Sequence, residues 1–196
     1  MQDKEQFFDR WAPHYDALLT TVVYQAIHKR LLAEVELPQQ PCVLDLGCGT
    51  GRLLKRLVAQ FPTLRGTGLD LSAAMLRQAR RDRHPHLIFI QGNAESLPFA
   101  EGQFDAVFNT MSFLHYPHPE QVLAEVSRVL RPGGCFYLAD ATFKIPIAYI
   151  PFSPGGLRLH TPQQREQLGK TVGLELVKHA DLLGPVMLTI FTRSRE

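Results

Sequence analysis

The sequence predicts an α/β fold in which one mostly parallel sheet is covered by helices on both faces. Three observations carry this expectation. Short apolar runs alternate along the chain with longer runs of helical periodicity, the pattern of βαβ units. A glycine-rich turn, "GCGTG" at 47–51, joins the first apolar run to a helix-like run. The last two apolar runs are separated by little more than Gly184-Pro185. That connection is too short for a parallel crossover, so the last strand should pair as a hairpin and run antiparallel to the others.

The elements follow in order. Residues 16–36 place Leu18, Leu19, Val22, Val23, Ala26, Ile27 and Leu31 at helical spacing, and Pro38 and Pro41 end the run. "CVLDLG" reads as a buried strand, and "GRLLKRLVAQF" as a helix stopped before Pro62. "GTGLDL" is the second strand. "SAAMLRQARRD" is a helix with Ser72 as its cap and arginines near its C-terminus, where they complement the helix dipole. "HLIFIQG" and "FDAVFNT" are strands three and four. "PEQVLAEVSRVL" is a helix with Pro119 in its first turn, and "RPGG" stops it. "CFYLADA" is strand five. "TPQQREQLGKTVG" opens with Thr161, Pro162 and Gln164, a capping box. "LELVKHAD" and "VMLTIFTR" complete seven strands.

Composition narrows the function classes. A chain of 196 residues, 45% hydrophobic and 20% charged, is expected to form a single domain over 1–196 with its own core. A net charge of +2 gives no footprint for nucleic acid. The run Arg77, Arg80, Arg81, Arg83 reads as a solvated helix end. No apolar run has the length of a membrane span, and no leader-like segment opens the chain, so the expectation is a cytoplasmic protein. Cys42, Cys48 and Cys135 are an odd set without a disulfide pattern; buried thiols are expected at 42 and 135, and Cys48 supplies a small side chain inside the turn. The histidine pairs His84/His86 and His115/His118 lack the converging ligands of a metal site.

The glycine turn carries the chemistry. A dinucleotide fingerprint requires G-x-G-x-x-G, but the third glycine falls at 51 and Arg52 occupies the expected place. Asp45 lies two residues before Gly47, where its carboxylate would repel a pyrophosphate and welcome a cation. Asp70 ends the second strand, placed to accept hydrogen bonds from both hydroxyls of a ribose. These features ask for a ribose and a cationic group without a pyrophosphate. S-adenosylmethionine matches all of them, and NAD matches only the ribose.

Nearly the whole chain, from about Phe8 to Thr192, resembles the class I S-adenosylmethionine-dependent methyltransferases, in the subgroup of ubiquinone/menaquinone-biosynthesis-like and small-molecule enzymes. "VLDLGCGTG" resembles the family's first motif and "GLDLSAAML" its strand-two motif. "GNAESLPFAEGQFDAV" is similar to the adenine-side segment, and "RVLRPGG" to the segment before strand five. The resemblance implies a Rossmann-like seven-stranded sheet, S-adenosylmethionine as methyl donor and S-adenosylhomocysteine as product. It implies that Asp45 and the Gly47 backbone meet the methionine part, that Gly49 and Gly51 let the chain pass close to the ligand with Cys48 among the cofactor-binding residues, that Asp70 takes the ribose, and that Leu71 and Met75 flank the adenine. Asn93 and Ala94 then meet the adenine edge, with Asn in place of the commoner Asp. The backbone carbonyl of Asn109 is the partner for the sulfonium, unless Asn109 is simply a turn residue.

The N-terminal helical cap, residues 1–36, is expected to lie over the site, and Tyr15 in "FDRWAPHYD" resembles a residue that closes over the methionine carboxylate; packing with Phe8 and Trp11 is the competing role. His115 in "MSFLHYPHP" follows strand four on the side where the methyl emerges, and is the candidate general base. The apolar, proline-bearing segment 142–160 is expected to cover a small apolar or aromatic acceptor; a dimer contact or a core-capping loop are the alternatives. Either a monomer or a homodimer is compatible with the sequence. The competing functional class is a non-catalytic module that binds S-adenosylmethionine and regulates a partner.

Overall fold

The structure, a computed structural model, describes residues 18–142 and 156–195. Tyr15 and residues 143–155 lie outside them. Helix α1 is Leu18–Leu32, followed by β1 (Cys42–Leu46), α2 (Arg52–Gln60), β2 (Arg65–Asp70) and α3 (Ala73–Ala79). Strands β3 (Leu87–Gln91) and β4 (Phe104–Thr110) come next, then a 3-10 turn (Phe113–His115) and α4 (Pro119–Val129). Strand β5 (Leu130–Ala141), α5 (Pro162–Lys170), β6 (Leu174–Leu183) and β7 (Val186–Arg193) complete the order.

The seven strands lie in the order β3-β2-β1-β4-β5-β7-β6. Neighbours from β3 to β5 are parallel, and β7 runs antiparallel to both β5 and β6. The expected fold class and the antiparallel last strand are therefore present. The hairpin of β6 and β7 inserts its second strand beside β5, so β6 becomes an edge.

Strand alternation divides the core. Val43, Ala106, Phe108, Tyr137 and Ala139 turn to one face, under Ile27 and Leu31 of α1 and Leu53, Leu54 and Leu57 of α2. Leu44, Leu46, Val107, Phe136 and Leu138 turn to the other, under Val122, Leu123 and Val126 of α4, with Leu168 of α5 packed alongside. Of the apolar stripe of α1, Ile27 and Leu31 are in the core, and Val22 and Val23 are exposed.

Local signals act as their chemistry predicts. Ser72 Oγ accepts from Met75 N–H at 3.1 Å and caps α3. Thr161 Oγ1 accepts from Gln164 N–H while Gln164 Oε1 accepts from Thr161 N–H, closing the capping box of α5. "RPGG" ends α4 and is also the start of β5. From Phe104 to Ala106 β4 advances two residues, while β5 advances five, from Leu130 to Cys135. Gly134 sits in that bulge, where a Cβ would lie 2.9 Å from Arg131 O and 3.0 Å from Asp105 O. Cys42 and Cys135 are half-buried rather than buried, and Cys48 is buried.

Candidate functional site

The order of strands turns between β1 and β4, and in such sheets ligands bind beyond the strand ends at that turn. The glycine loop leaves β1 there. Gly47 N–H and Cys48 N–H both donate to Leu69 O, at 2.8 and 3.1 Å, which pins the loop to the tip of β2. Gly47 adopts φ +66°, and a Cβ would stand 2.6 Å from Ser112 Cβ. Gly51 adopts φ +75°, and a Cβ would stand 2.7 Å from the Phe89 ring. The glycine at 51 therefore answers to the strand-three phenylalanine, a reason the spacing alone does not reveal.

Asp70 holds this loop from the side. One carboxylate oxygen accepts from Gly49 N–H at 2.8 Å, and the other from Ser72 N–H at 2.9 Å. The loop and the start of α3 are thus drawn to one carboxylate. Asp45 is buried beneath the loop, 2% exposed. Burial, and then the Asp70 carboxylate, push its pKa well above the ordinary carboxylate range. The same two causes, in the same order, push the Cys48 thiol up. A thiol held protonated is no nucleophile, so Cys48 is a packing residue: its Sγ would lie 2.8 Å from a Cβ at Gly68.

Leu71 and Met75, expected to flank the adenine, follow Asp70 along the chain. Met75 is buried and Leu71 half-buried, with Gln91 Nε2 donating to Leu71 O at 3.0 Å. Ala94 is buried. Asn93 Oδ1 accepts from Glu95 N–H at 3.0 Å, so the side chain shapes its own turn with one of its acceptor sites.

Asn109 is the penultimate residue of β4 and fully buried, not a turn residue. Its Nδ2 donates to Leu46 O at 3.1 Å and to Tyr116 Oη at 3.0 Å. Ser112 Oγ also donates to Leu46 O, at 3.1 Å, and lies 3.2 Å from Tyr116 Oη. Three side chains thus tie the loop after β4 to the tip of β1. Burial pushes the Tyr116 phenol up, so it stays protonated. Between Thr110 and Ser112, Met111 takes φ +54°, a left-handed conformation that costs a side-chain-bearing residue about 1–3 kcal/mol.

His115 closes the 3-10 turn on this loop, half-buried, with its N–H donating to Ser112 O. Asp140 at the end of β5 fixes the same turn: Oδ2 accepts from Leu114 N–H at 2.9 Å and Oδ1 from Ala141 N–H at 2.7 Å. Burial raises Asp140 to about 6 against the opposing pull of Arg165. Arg165 is itself buried and donates to the carbonyls of Asp140 and Ala141 at 3.0 and 2.9 Å. The described ends of segment 142–160 meet here as well. Thr142 Oγ1 donates to His160 O at 2.9 Å, and Arg158 N–H donates to Leu114 O at 2.8 Å.

Sequence reasoning missed a cavity of about 30 Å³ on the α1 side of the loop. His28 of α1, Asp45, Gly47, Thr50 and Thr110 line it. Burial holds His28 down at about 3, with Arg56 and Arg52 lowering it further. His28 Nδ1, Thr50 Oγ1 and Thr110 Oγ1 have no hydrogen-bond partner among the described residues. An unpaired buried polar atom costs about 1–3 kcal/mol, so three of them beside one carboxyl mark a place that expects a polar guest. No spacing signal in the sequence joins these residues; only the packing of α1 against the loop does.

Residues 43–134 match a family model described as "Methyltransferase domain". The chain is similar to a demethylmenaquinone methyltransferase of Chlorobaculum parvum, 32% identical over 174 residues, covering 85% of this chain and 68% of that protein. It is also similar to a phthiotriol/phenolphthiotriol dimycocerosates methyltransferase of Mycobacterium tuberculosis, 41% identical over 115 residues. That match covers 58% of this chain, and the chain spans only 42% of the length of the mycobacterial relative. The fold is shared with an S-adenosylmethionine dependent methyltransferase from Mesorhizobium loti, at TM-score 0.73 and 17% identity, covering 86% of this chain and 98% of that one. Together with the seven-stranded sheet and the glycine loop at its switch point, these matches show that the chain belongs to the class I S-adenosylmethionine-dependent methyltransferases.

Proposed function

We propose that the chain binds S-adenosylmethionine at the glycine loop and transfers its methyl group to a small apolar acceptor. The observation that carries the reading is the pair of carboxylates at that loop, Asp45 beneath it and Asp70 braced against Gly49 N–H. The Asp70 carboxylate opposes a pyrophosphate, and a cation beside Asp45 favours its carboxylate form, so the pair selects a cationic, ribose-bearing ligand. The donor set fits that ligand. Asp70 brings a carboxylate to the loop for ribose hydroxyls, Met75 and Leu71 offer an apolar wall for adenine, and the cavity beside Asp45 leaves polar atoms unpaired.

S-adenosylmethionine, when bound, supplies a methyl group already activated on a sulfonium. The chain's own residues then position, shield and manage protons. Asp45 and Asp70 favour positive charge at the loop. The Asn109, Ser112 and Tyr116 triangle holds the post-β4 loop against β1, and with it the Asn109 carbonyl proposed to face the sulfonium. Tyr15 is proposed to close over the carboxylate end, and 142–160 to cover the acceptor. His115 is the proposed base for an acceptor that must lose a proton. Two of the relatives are named for a lipid and a quinone substrate, which supports an apolar acceptor here.

The test is transfer of labelled methyl from S-adenosylmethionine into an organic-solvent extract of metabolites. Label in an apolar product, reduced at least tenfold by His115→Ala, is expected. Unchanged turnover in His115→Ala removes the base. Donor binding with no labelled product in any extract favours the regulatory module instead.

A further inference from the structure

His28 lies four residues after Tyr24 and one after Ile27 on α1, so the packing of Ile27 and Leu31 into the core fixes where its ring stands. The ring is 4% exposed, yet Nδ1 has no hydrogen-bond partner among the described residues. It shares the 30 Å³ cavity with two further unpaired hydroxyls, on Thr50 and Thr110, and with the Asp45 carboxyl. Buried side-chain polar atoms rarely go unpaired, and here three do so around one small space. That space has room for one group about the size of a water or an ammonium.

The chemistry of the lining selects among guests. A neutral imidazole presents one acceptor nitrogen, threonine hydroxyls accept as well as donate, and Asp45 supplies compensating charge. Burial keeps the ring neutral, so it does not repel a cation. An acceptor cluster beside an acid suits an ammonium.

We propose that His28, with Thr50 and Thr110, forms the subsite that receives the ammonium of the methyl donor's amino-acid end. Helix α1 thereby distinguishes ligands that carry this end from nucleosides that lack it. The proposal rests on the methyl-donor reading above and adds a residue of α1 to it. It involves no covalent step.

The test compares two nucleosides by calorimetric titration: S-adenosylhomocysteine, which has the amino-acid end, and 5′-methylthioadenosine, which does not. In His28→Ala the affinity for S-adenosylhomocysteine falls roughly tenfold while that for 5′-methylthioadenosine is unchanged. His28→Asn, which restores a polar side chain, recovers part of the loss. His28→Leu keeps the volume without the polar atoms, and shows the same selective loss if the alanine variant folds poorly. Equal losses for both ligands, or no loss for S-adenosylhomocysteine, overturn the role of His28 alone. Wild-type chain that binds neither nucleoside overturns the methyl-donor reading and this proposal with it.

Discussion

His28 shows at the level of one residue how the site is built against the ordinary preference of a side chain. Its pKa is about 3 in the fold, against 6.5 for an exposed histidine. The pKa is depressed, so its contribution to stability is complete above pH 6.5 and is lost as pH falls toward 3; the shift corresponds to at most about 5 kcal/mol. Denaturant unfolding at pH 7 and pH 4 reads this directly. The difference in stability between the two is smaller in His28→Leu than in the wild type, and an equal difference would contradict the assignment. His28 was not legible in the sequence, because a histidine in a helical run has no motif to mark it. Asp45 and Asp70 were legible, because each sits at a strand end at a fixed offset from the glycines. Ser112 and Tyr116 were hidden for the same reason as His28. Ser112 bonds across to Leu46 O at the tip of β1, and Tyr116 accepts from Asn109 on the strand that precedes it.

Among the elements, the glycine loop and the turn after β4 do different work. The resemblance implies that Gly49 and Gly51 let the chain pass close to a ligand; in the structure a Cβ at Gly51 would meet Phe89, and one at Gly47 would meet Ser112. Gly51→Ala combines a positive φ with a contact against an aromatic ring, so it destabilises the fold by about 1–3 kcal/mol, measurable by urea unfolding. A loss below a few tenths of that range would show that Phe89 moves aside freely. The turn after β4 depends on Asp140, whose carboxyl titrates near 6. Its pKa is raised above the usual 3.8, so its contribution is full below pH 3.8 and is lost as pH rises through 6. Asp140→Asn removes that dependence, and relative to wild type the variant gains stability between pH 4 and pH 7. A parallel pair of stability curves would contradict it. Capping was the most legible part of the elements: Ser72, Thr161 and Gln164 act through bonds within one turn, which sequence order alone specifies. β5 begins at Leu130, ahead of the "CFYLADA" that the pattern predicts, because a bulge between β4 and β5 absorbs "RPGG" through contacts with another strand.

For the whole molecule, the sheet order explains why these residues meet. The parallel strands bring the ends of β1, β2 and β4 to one edge, and α1 closes one face of it through Ile27, His28 and Leu31. Alternation of strands and helices made this architecture legible; the long-range seating of α1 on the glycine loop was not, since it follows from side-chain fit. Among the described residues no helix is long and apolar enough to cross a membrane. The central claim is that two acids at a tight glycine loop select a cationic methyl donor over a dinucleotide. Titration of the purified chain with S-adenosylmethionine and with NAD, at matched salt and in two buffers of different ionisation enthalpy, tests it most directly. S-adenosylmethionine binds and releases protons, because a cation beside Asp45 favours its carboxylate form, and Asp70→Ala weakens binding about tenfold to a hundredfold. Tighter binding of NAD, or binding of S-adenosylmethionine that Asp70→Ala leaves unchanged, would contradict the account.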